Sequence, residues 1–263
     1  MGLFFFFLQI DGRFTRQYFD DGTGNLYKEI WPLNSNGNPF SEQDYIENLK
    51  TNEDENPTAE MIRGFAQEVA NANDNDLQGV IEKWMNLDEI ISYAVVDRTI
   101  RNDDGAFHWY CSGDGCSPHN FYWYEDPTNR QLHLIPWDLD HAFENIISNV
   151  NPVTPIGDPW GVISNNCAPF NVGFFGPKQR SAACDKLTGG WASYDEEYAQ
   201  KKQEFLADVF SEERVNEKLE EWAAQIRAAT EEASQAHPDA ITVAQWESSL
   251  NTLKSQLRFA RNK

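Results

Sequence analysis

The chain has 263 residues, enough for one large domain or two small ones with a buried core. Asp and Glu total 42 against 21 Lys and Arg, giving a formal charge of −21. Such an acidic chain repels phosphate backbones and anionic membranes, which argues against nucleic-acid binding. Aromatic residues make up 13% and include nine Trp, too many for a disordered acidic tail.

The longest apolar run, Leu3 to Leu8, falls far short of the roughly 20 residues a helix needs to cross a bilayer. It lacks a basic segment before it and a small-residue cleavage site after it, so it reads as a buried strand rather than a signal peptide. A chain that opens inside a core strand carries the expectation of a missing N-terminal part. The first thirty residues read as strand, turn, strand: Asp20 to Asn25 has turn chemistry, and Leu26 to Trp31 returns as a strand. Residues 34–57 are polar, with Ser41 and Asp44 forming a weak capping box for a short helix. Met61, Phe65, Val69 and Ala72 recur at helical spacing, as do Leu77, Val80, Ile81 and Trp84. Asn86 caps a third helix with Glu89 at the box position and Ile90, Ile91, Ala94 and Val95 facing inward. That helix is expected to stop near Asn102, before Asp103-Asp104-Gly105.

Phe121-Tyr122-Trp123-Tyr124 and Leu132-His133-Leu134-Ile135 predict a hairpin across Asp126-Pro127-Thr128-Asn129. Residues 146–190 are rich in Pro, Gly and Asn and read as a long irregular region. From Tyr198 on the pattern is helical. Phe205, Val209, Val215, Leu219, Trp222 and Ile226 fit one or two helices, and Trp246, Leu250, Leu253 and Leu257 fit the last. Their Glu-rich outer faces read as solvated surface.

Four cysteines allow three pairings. The local one, Cys111 with Cys116 and Cys167 with Cys184, closes two loops that lack a core of their own and implies an oxidising, extracytoplasmic setting. A metal site is disfavoured, because neither C-x-x-C spacing nor a suitably placed His accompanies them. Four free thiols in a cytosolic protein are the remaining alternative.

Three segments have the residue types of a reaction centre. In Leu134-Ile135-Pro136-Trp137-Asp138-Leu139-Asp140 a strand ends in two acids. Alternate side chains of an extended backbone share a face, so both carboxylates would address one cation, with Mg²⁺ the natural choice. The plainer alternative is a strand-end turn with its acids in water. Arg101-Asn102-Asp103-Asp104-Gly105 mounts an acid just past a helix, as a general base requires, although a solvated Asp-Gly helix stop explains it equally. His119-Asn120 stands at the start of the hairpin, where the Asn carbonyl oxygen suits Mg²⁺. A base Asp, then an Asn, then a metal Asp is the order used for phosphoryl transfer by protein kinases, though neither H-R-D nor D-F-G occurs here.

The sequence resembles the CotH kinase family, the spore-coat-type atypical protein kinases. Five stretches carry the resemblance: Ile10-Asp11-Gly12-Arg13-Phe14, Gly24-Asn25-Leu26-Tyr27-Lys28, Ile100 to Gly105, His119-Asn120-Phe121-Tyr122-Trp123-Tyr124, and Ile135-Pro136-Trp137-Asp138-Leu139-Asp140. It implies an α+β, atypical protein-kinase-like fold. Residues 1–33 would be a truncated, β-rich remnant of the nucleotide lobe, and 34–263 a larger helical lobe with the catalytic loop and a metal-site hairpin. It further implies ATP and Mg²⁺ as cofactors and Ser/Thr of a protein as acceptor. Asp104 takes the catalytic position and Asn120 the metal-ligand Asn. Asp138 takes the metal-binding Asp, with Asp140 as helper. Trp137, Tyr27 and Lys28 are candidates for the nucleotide pocket, through ring stacking and phosphate neutralisation. The sequence departs from the family pattern in three places. An insertion holding Cys111 and Cys116 separates Asp104 from Asn120, which makes Asp114 a rival base. Leu8 and Gln9 stand where a Glu often lies, and the upstream strands of the nucleotide lobe are missing from the sequence. Two other readings compete: a non-catalytic, pseudokinase or adhesin-like surface protein, and a metal-dependent hydrolase using Asp138, Asp140 and His141. The charge points to a basic protein substrate.

Overall fold

Phe121, Tyr122, Trp123 and Tyr124 are all buried, because both faces of their strand are covered. In the computed structural model, which describes residues 9–113, 115–143, 161–171 and 178–262, that strand is β4 (Phe121–Asp126). It lies between β1 (Leu26–Lys28) and β5 (Gln131–Pro136) in an antiparallel sheet of order β1-β4-β5. The register runs from Phe121↔Pro136 to Asp126↔Gln131 on one side and from Leu26↔Tyr124 to Lys28↔Tyr122 on the other. Phe121 and Trp123 face the main core, where Trp31 meets Trp123, Phe121, Trp109 and Trp191 at 5.3–5.8 Å between ring centroids. Tyr122 and Tyr124 face a smaller cluster with Ile10, Leu26 and Ile135.

The smaller cluster is closed by α1 (Gly12–Tyr18), whose Phe14 packs there together with Phe19 just beyond the helix. Asp11 caps α1 by accepting hydrogen bonds from the Arg13 and Phe14 backbone N–H groups. The main core is covered by α2 (Glu42–Glu47), α3 (Glu60–Asn71), α4 (Leu77–Trp84) and α5 (Leu87–Thr99). Ser41 and Asp44 form the capping box of α2, and Asn86 caps α5 through the Glu89 N–H. The Glu89 carboxylate does not return to the cap; it pairs with His133 Nδ1 at 2.9 Å.

A second antiparallel sheet has the order β3-β2-β7-β6, formed by β2 (Trp109–Ser112), β3 (Gly115–Ser117), β6 (Phe170–Asn171) and β7 (Lys178–Arg180). The expected disulfides are both present, Cys111–Cys116 between facing residues of β2 and β3, and Cys167–Cys184. Then α6 (Lys186–Ala192) inserts Trp191 into the main core. Beyond it α7 (Asp195–Ala207) packs on α5, and α8 (Glu212–Ala236) and α9 (Val243–Arg261) share a third apolar cluster of Phe210, Leu219 and Leu257. Among the described residues no helix is long and apolar enough to cross a membrane.

Several expectations need correction. The strand expected over Leu26 to Trp31 stops at Lys28, because Glu29 takes φ +54° and turns the chain out of the sheet. The segment 12–18 is a helix where strand and turn were expected; Asp11 caps its first turn. Helix α5, by contrast, ends at Thr99 with Ile100 as its cap, close to the stop expected near Asn102. Residues 178–192 hold a strand and a helix rather than irregular chain. Of the apolar residues fitted to the C-terminal helices, Val209, Trp222 and Ile226 are exposed, Trp222 at 53%. The expected strand at Leu3–Leu8 lies outside the described residues, as does most of 144–177.

Gly24 and Glu125 tie β1 to the hairpin. A Cβ on Gly24 would sit 1.8 Å from the Glu125 carbonyl oxygen, so only glycine allows the two backbones to approach. The buried Glu125 carboxyl accepts from Ile62 N at 2.9 Å, Asn25 Nδ2 at 3.0 Å and Tyr27 OH at 3.1 Å. Burial pushes it from 4.5 up to about 7, against the pull of these donors. The folded state therefore holds this proton more tightly than the unfolded chain. Its contribution to stability is complete below 4.5 and disappears as pH rises through about 7. Thermal melts across that window are expected to show a falling Tm, and Glu125→Gln, although less stable at acid pH through loss of the Asn25 bond, to show a shallower slope. An unchanged slope would refute this assignment.

Candidate active site

Helix α5 ends with the chain folded back on itself. Ile100 donates its N–H to Val96 O, Arg101 takes φ +54°, and Asn102 donates its N–H to Asp97 O at 3.1 Å. This reversal lifts Asp103 and Asp104 onto a loop above the helix end, and Tyr110 OH holds that loop by donating to Asp103 O. Asn120 lies directly before β4 and also has a left-handed backbone, φ +55°. Its Nδ2 donates to both Asp104 O (2.8 Å) and Asp104 Oδ2 (2.9 Å). The disulfide-tied insertion between them leaves loop and hairpin in contact. Asn120 N donates to Glu29 Oε1 at 3.1 Å, and Trp137 N donates to Asn120 O at 3.0 Å. The β1 exit, the β4 entry and the β5 exit thus meet at one residue.

The electrostatics around Asp104 are mixed. Burial pushes its half-buried carboxyl above the usual Asp range; His119, His141 and the Asn120 amide pull it down, and Asp140 adds to the rise. Asp140 is 70% exposed and lies 3.9 Å from His141 Nε2. Asp138 is exposed, with φ +50°. Both acids lie beyond the end of β5 at Pro136, so the alternation of an extended strand does not govern them, contrary to the reasoning that put both carboxylates on one face. Lys28 Nζ lies 5.8 Å from the Tyr122 ring centroid and 5.9 Å from that of Trp137, whose ring is half-buried.

The structure therefore sets Asn120 on Asp104 and Trp137 beside the Asn120 backbone, with Lys28 near the Trp137 ring and Asp140 within electrostatic reach of Asp104, while Asp138 is exposed beyond the strand end. Tyr27 is not gathered with them. It is 0% exposed, faces the main core and donates its hydroxyl to Glu125 Oε1, so its ring has no free face for a base. Asp114, the rival base, lies outside the described residues. Glu29 was missed by sequence reasoning. Its bond to Asn120 joins residues 91 apart along the chain, and no local pattern announces it.

Among the described residues no group of three or more His, Cys, Asp or Glu is arranged to hold a metal ion. The donor chemistry available is that of hard oxygen: two exposed carboxylates and the Asn120 amide, whose Oδ1 is the end not used on Asp104. Mg²⁺ accepts such a partial set, completing its shell with phosphate oxygens and water.

These elements make an α+β protein with small antiparallel sheets, in which an acid–amide pair joins a helix end to a hairpin entry. A family model described as CotH kinase protein matches residues 1–262, and the chain belongs to that family. Membership supports a kinase-like protein of the transferase class. A search of curated proteins found no match.

The Asn120 clamp has a measurable worth. Asn120→Ala removes two hydrogen bonds and leaves a half-buried carboxylate short of a donor, so urea denaturation is expected to show a loss of about 1–3 kcal/mol. A loss below about 0.5 kcal/mol, the range of ordinary surface substitutions, would mean that solvent replaces the clamp.

Proposed function

We propose that the chain is an atypical protein kinase that transfers the γ-phosphate of ATP to Ser or Thr of a protein, with Mg²⁺. The observation that carries this reading is the double bond from Asn120 Nδ2 to Asp104, which sets an acid just past a helix against the residue that opens the hairpin. Family membership and the electrostatic influence of Asp140 and His141 on the Asp104 carboxyl support it.

In this reading Asp104 accepts the proton of the acceptor hydroxyl as that oxygen bonds to the γ-phosphorus. The bond from the γ-phosphorus to the bridging oxygen breaks, and ADP leaves with its electron pair. A carboxyl raised by burial is a better proton acceptor than an ordinary Asp. Asn120 fixes the direction of that carboxylate. Asp138, Asn120 and Asp140 would hold Mg²⁺, which supplies neutralisation of phosphate charge when bound. Lys28 would meet phosphate and Trp137 the base, both from the sheet face that carries Tyr122. We assign residues 34–263 to a kinase-like helical lobe with a metal-site hairpin, and 1–33 to the nucleotide side, which reaches the hairpin through β1–β4 pairing. The two disulfides fit an oxidising, extracytoplasmic location, and the charge of −21 fits a basic substrate.

Phosphate incorporation from labelled ATP into a basic Ser/Thr-containing protein tests the reading. Asp104→Ala and Asp138→Ala are each expected to lower it at least ~100-fold, as loss of general-base or metal-held charge stabilisation does, with unchanged circular dichroism. Equal incorporation by all three proteins would overturn the catalytic assignment.

A further inference from the structure

Beneath the loop that carries Asp104 lies a polar pair that the mechanism above does not use. Asp97, in the last turns of α5, is 1% exposed, and Asn102 is 0% exposed. Asn102 Nδ2 donates to Asp97 Oδ1 at 2.9 Å, and Asn102 N donates to Asp97 O at 3.1 Å. The other end of the same amide, Asn102 Oδ1, accepts the N–H of Asp104 at 3.4 Å. Asp97 Oδ2 meets no partner among the described residues. A buried carboxyl with an unmet oxygen destabilises a fold, so its presence at the root of this loop calls for a reason.

Chemistry supplies one. A side-chain amide has a donor end and an acceptor end of nearly the same shape, and its surroundings decide which points where. A carboxylate oxygen accepts. Facing Asp97 Oδ1, Asn102 must present Nδ2, and Oδ1 is thereby left facing the Asp104 N–H. The loop is pressed onto the pair: a Cβ on Gly105 would lie 2.4 Å from Asn102 Nδ2 and 2.7 Å from Asp97 Oδ1. Asp104 is thus gripped from two sides, at its backbone N–H by Asn102 and at its carboxylate by Asn120.

We infer that Asp97 and Asn102 are positioning residues: Asp97 orients the Asn102 amide, and Asn102 sets the backbone of Asp104 so that its carboxylate meets the acceptor hydroxyl. This inference rests on the phosphoryl-transfer reading for its effect on rate, but not for the geometry of the loop. The residues act through Asp104 and touch no substrate.

The test uses the whole chain with Asp97→Leu, Asn102→Asp and the exchanged double variant Asp97→Asn/Asn102→Asp. The singles leave Asn102 Nδ2 without its acceptor or place carboxylate against carboxylate. The exchange restores one donor facing one acceptor and still leaves an oxygen for the Asp104 N–H. Each single variant is expected to lower kcat about 10- to 100-fold, as misplacement of a reacting group does, with KM for ATP changed less than about twofold. The exchange is expected to recover kcat to within about threefold of the natural chain. Hydrogen exchange without substrate is the second readout. The Asp104 and Gly105 amides are expected to exchange faster in the singles, while those of α5 keep their protection, and the exchange variant is expected to reverse this. Singles that lower Tm but leave kcat and loop exchange unchanged overturn the inference, and so does an exchange variant that recovers neither. Should the natural chain transfer no phosphate, the phosphoryl-transfer reading fails, and loop exchange alone decides whether the pair positions Asp104.

Discussion

The bond from the Asn120 amide to Asp104 is the contact around which the chain is arranged. It is a neutral donor on a half-buried carboxylate, so it holds the acid without cancelling its charge. A Lys or Arg in that place would pair with the carboxylate and weaken it as a proton acceptor. The same Nδ2 also reaches the Asp104 carbonyl, so side chain and backbone are fixed together. Glu29 and Trp137 meet the backbone of Asn120, which binds the exits of β1 and β5 to the same point. A displacement of the hairpin is therefore felt at the acid.

The stiffness of that point comes from aromatic packing beneath it. Trp31 stands edge-on to four other rings, and Trp191 arrives from the far end of the disulfide-bridged region to complete the set. Edge-to-face rings at these separations add specificity beyond their buried area. The insertion between Asp104 and Asn120 is consolidated in the same way: Cys111–Cys116 closes its tip, β7 pairs with β2, and the Arg180 guanidinium lies 5.0 Å over Trp109. Without such bracing a long excursion between two site residues would cost conformational entropy each time they met.

What could be read from the sequence follows from the range of the forces involved. The helices α3, α4 and α5 were legible because their apolar faces repeat within a few residues, and α2 because Ser41 and Asp44 form a local cap. The β4–β5 hairpin was legible from its turn, in which the Asp126 side chain accepts from Thr128 N and Asn129 N. Both disulfides followed from loop closure. The exposure of Trp222 was not legible, because a helical stripe does not say whether anything covers it, and Trp222 instead carries Lys218 over its ring. Tyr27 belonged to a stretch that matched the family, yet whether its ring met solvent or core depended on the β1–β4 register, set about a hundred residues away.

The local reading failed most sharply at the site itself, and for a physical reason. Glu29, Arg101, Asn120 and Asp138 all have φ between +50° and +55°, a region that residues with a side chain seldom occupy. Each stands where the chain leaves or enters a regular element: after β1, after α5, before β4 and after β5. Alternation and helical periodicity both assume that the backbone continues in one conformation, and at these four positions it does not. A left-handed residue at a strand end redirects the next side chain, which is why Asp138 and Asp140 cannot be placed by counting alternate residues. The cost of such backbone falls on the surroundings, here the β1–β4–β5 register, the Glu29–Asn120 bond and the Asp97–Asn102 pair. Local propensity and global structure disagree where side chains from separate elements must converge, and the convergence of acids and an amide on Asp104 is the place in this chain where that disagreement is concentrated.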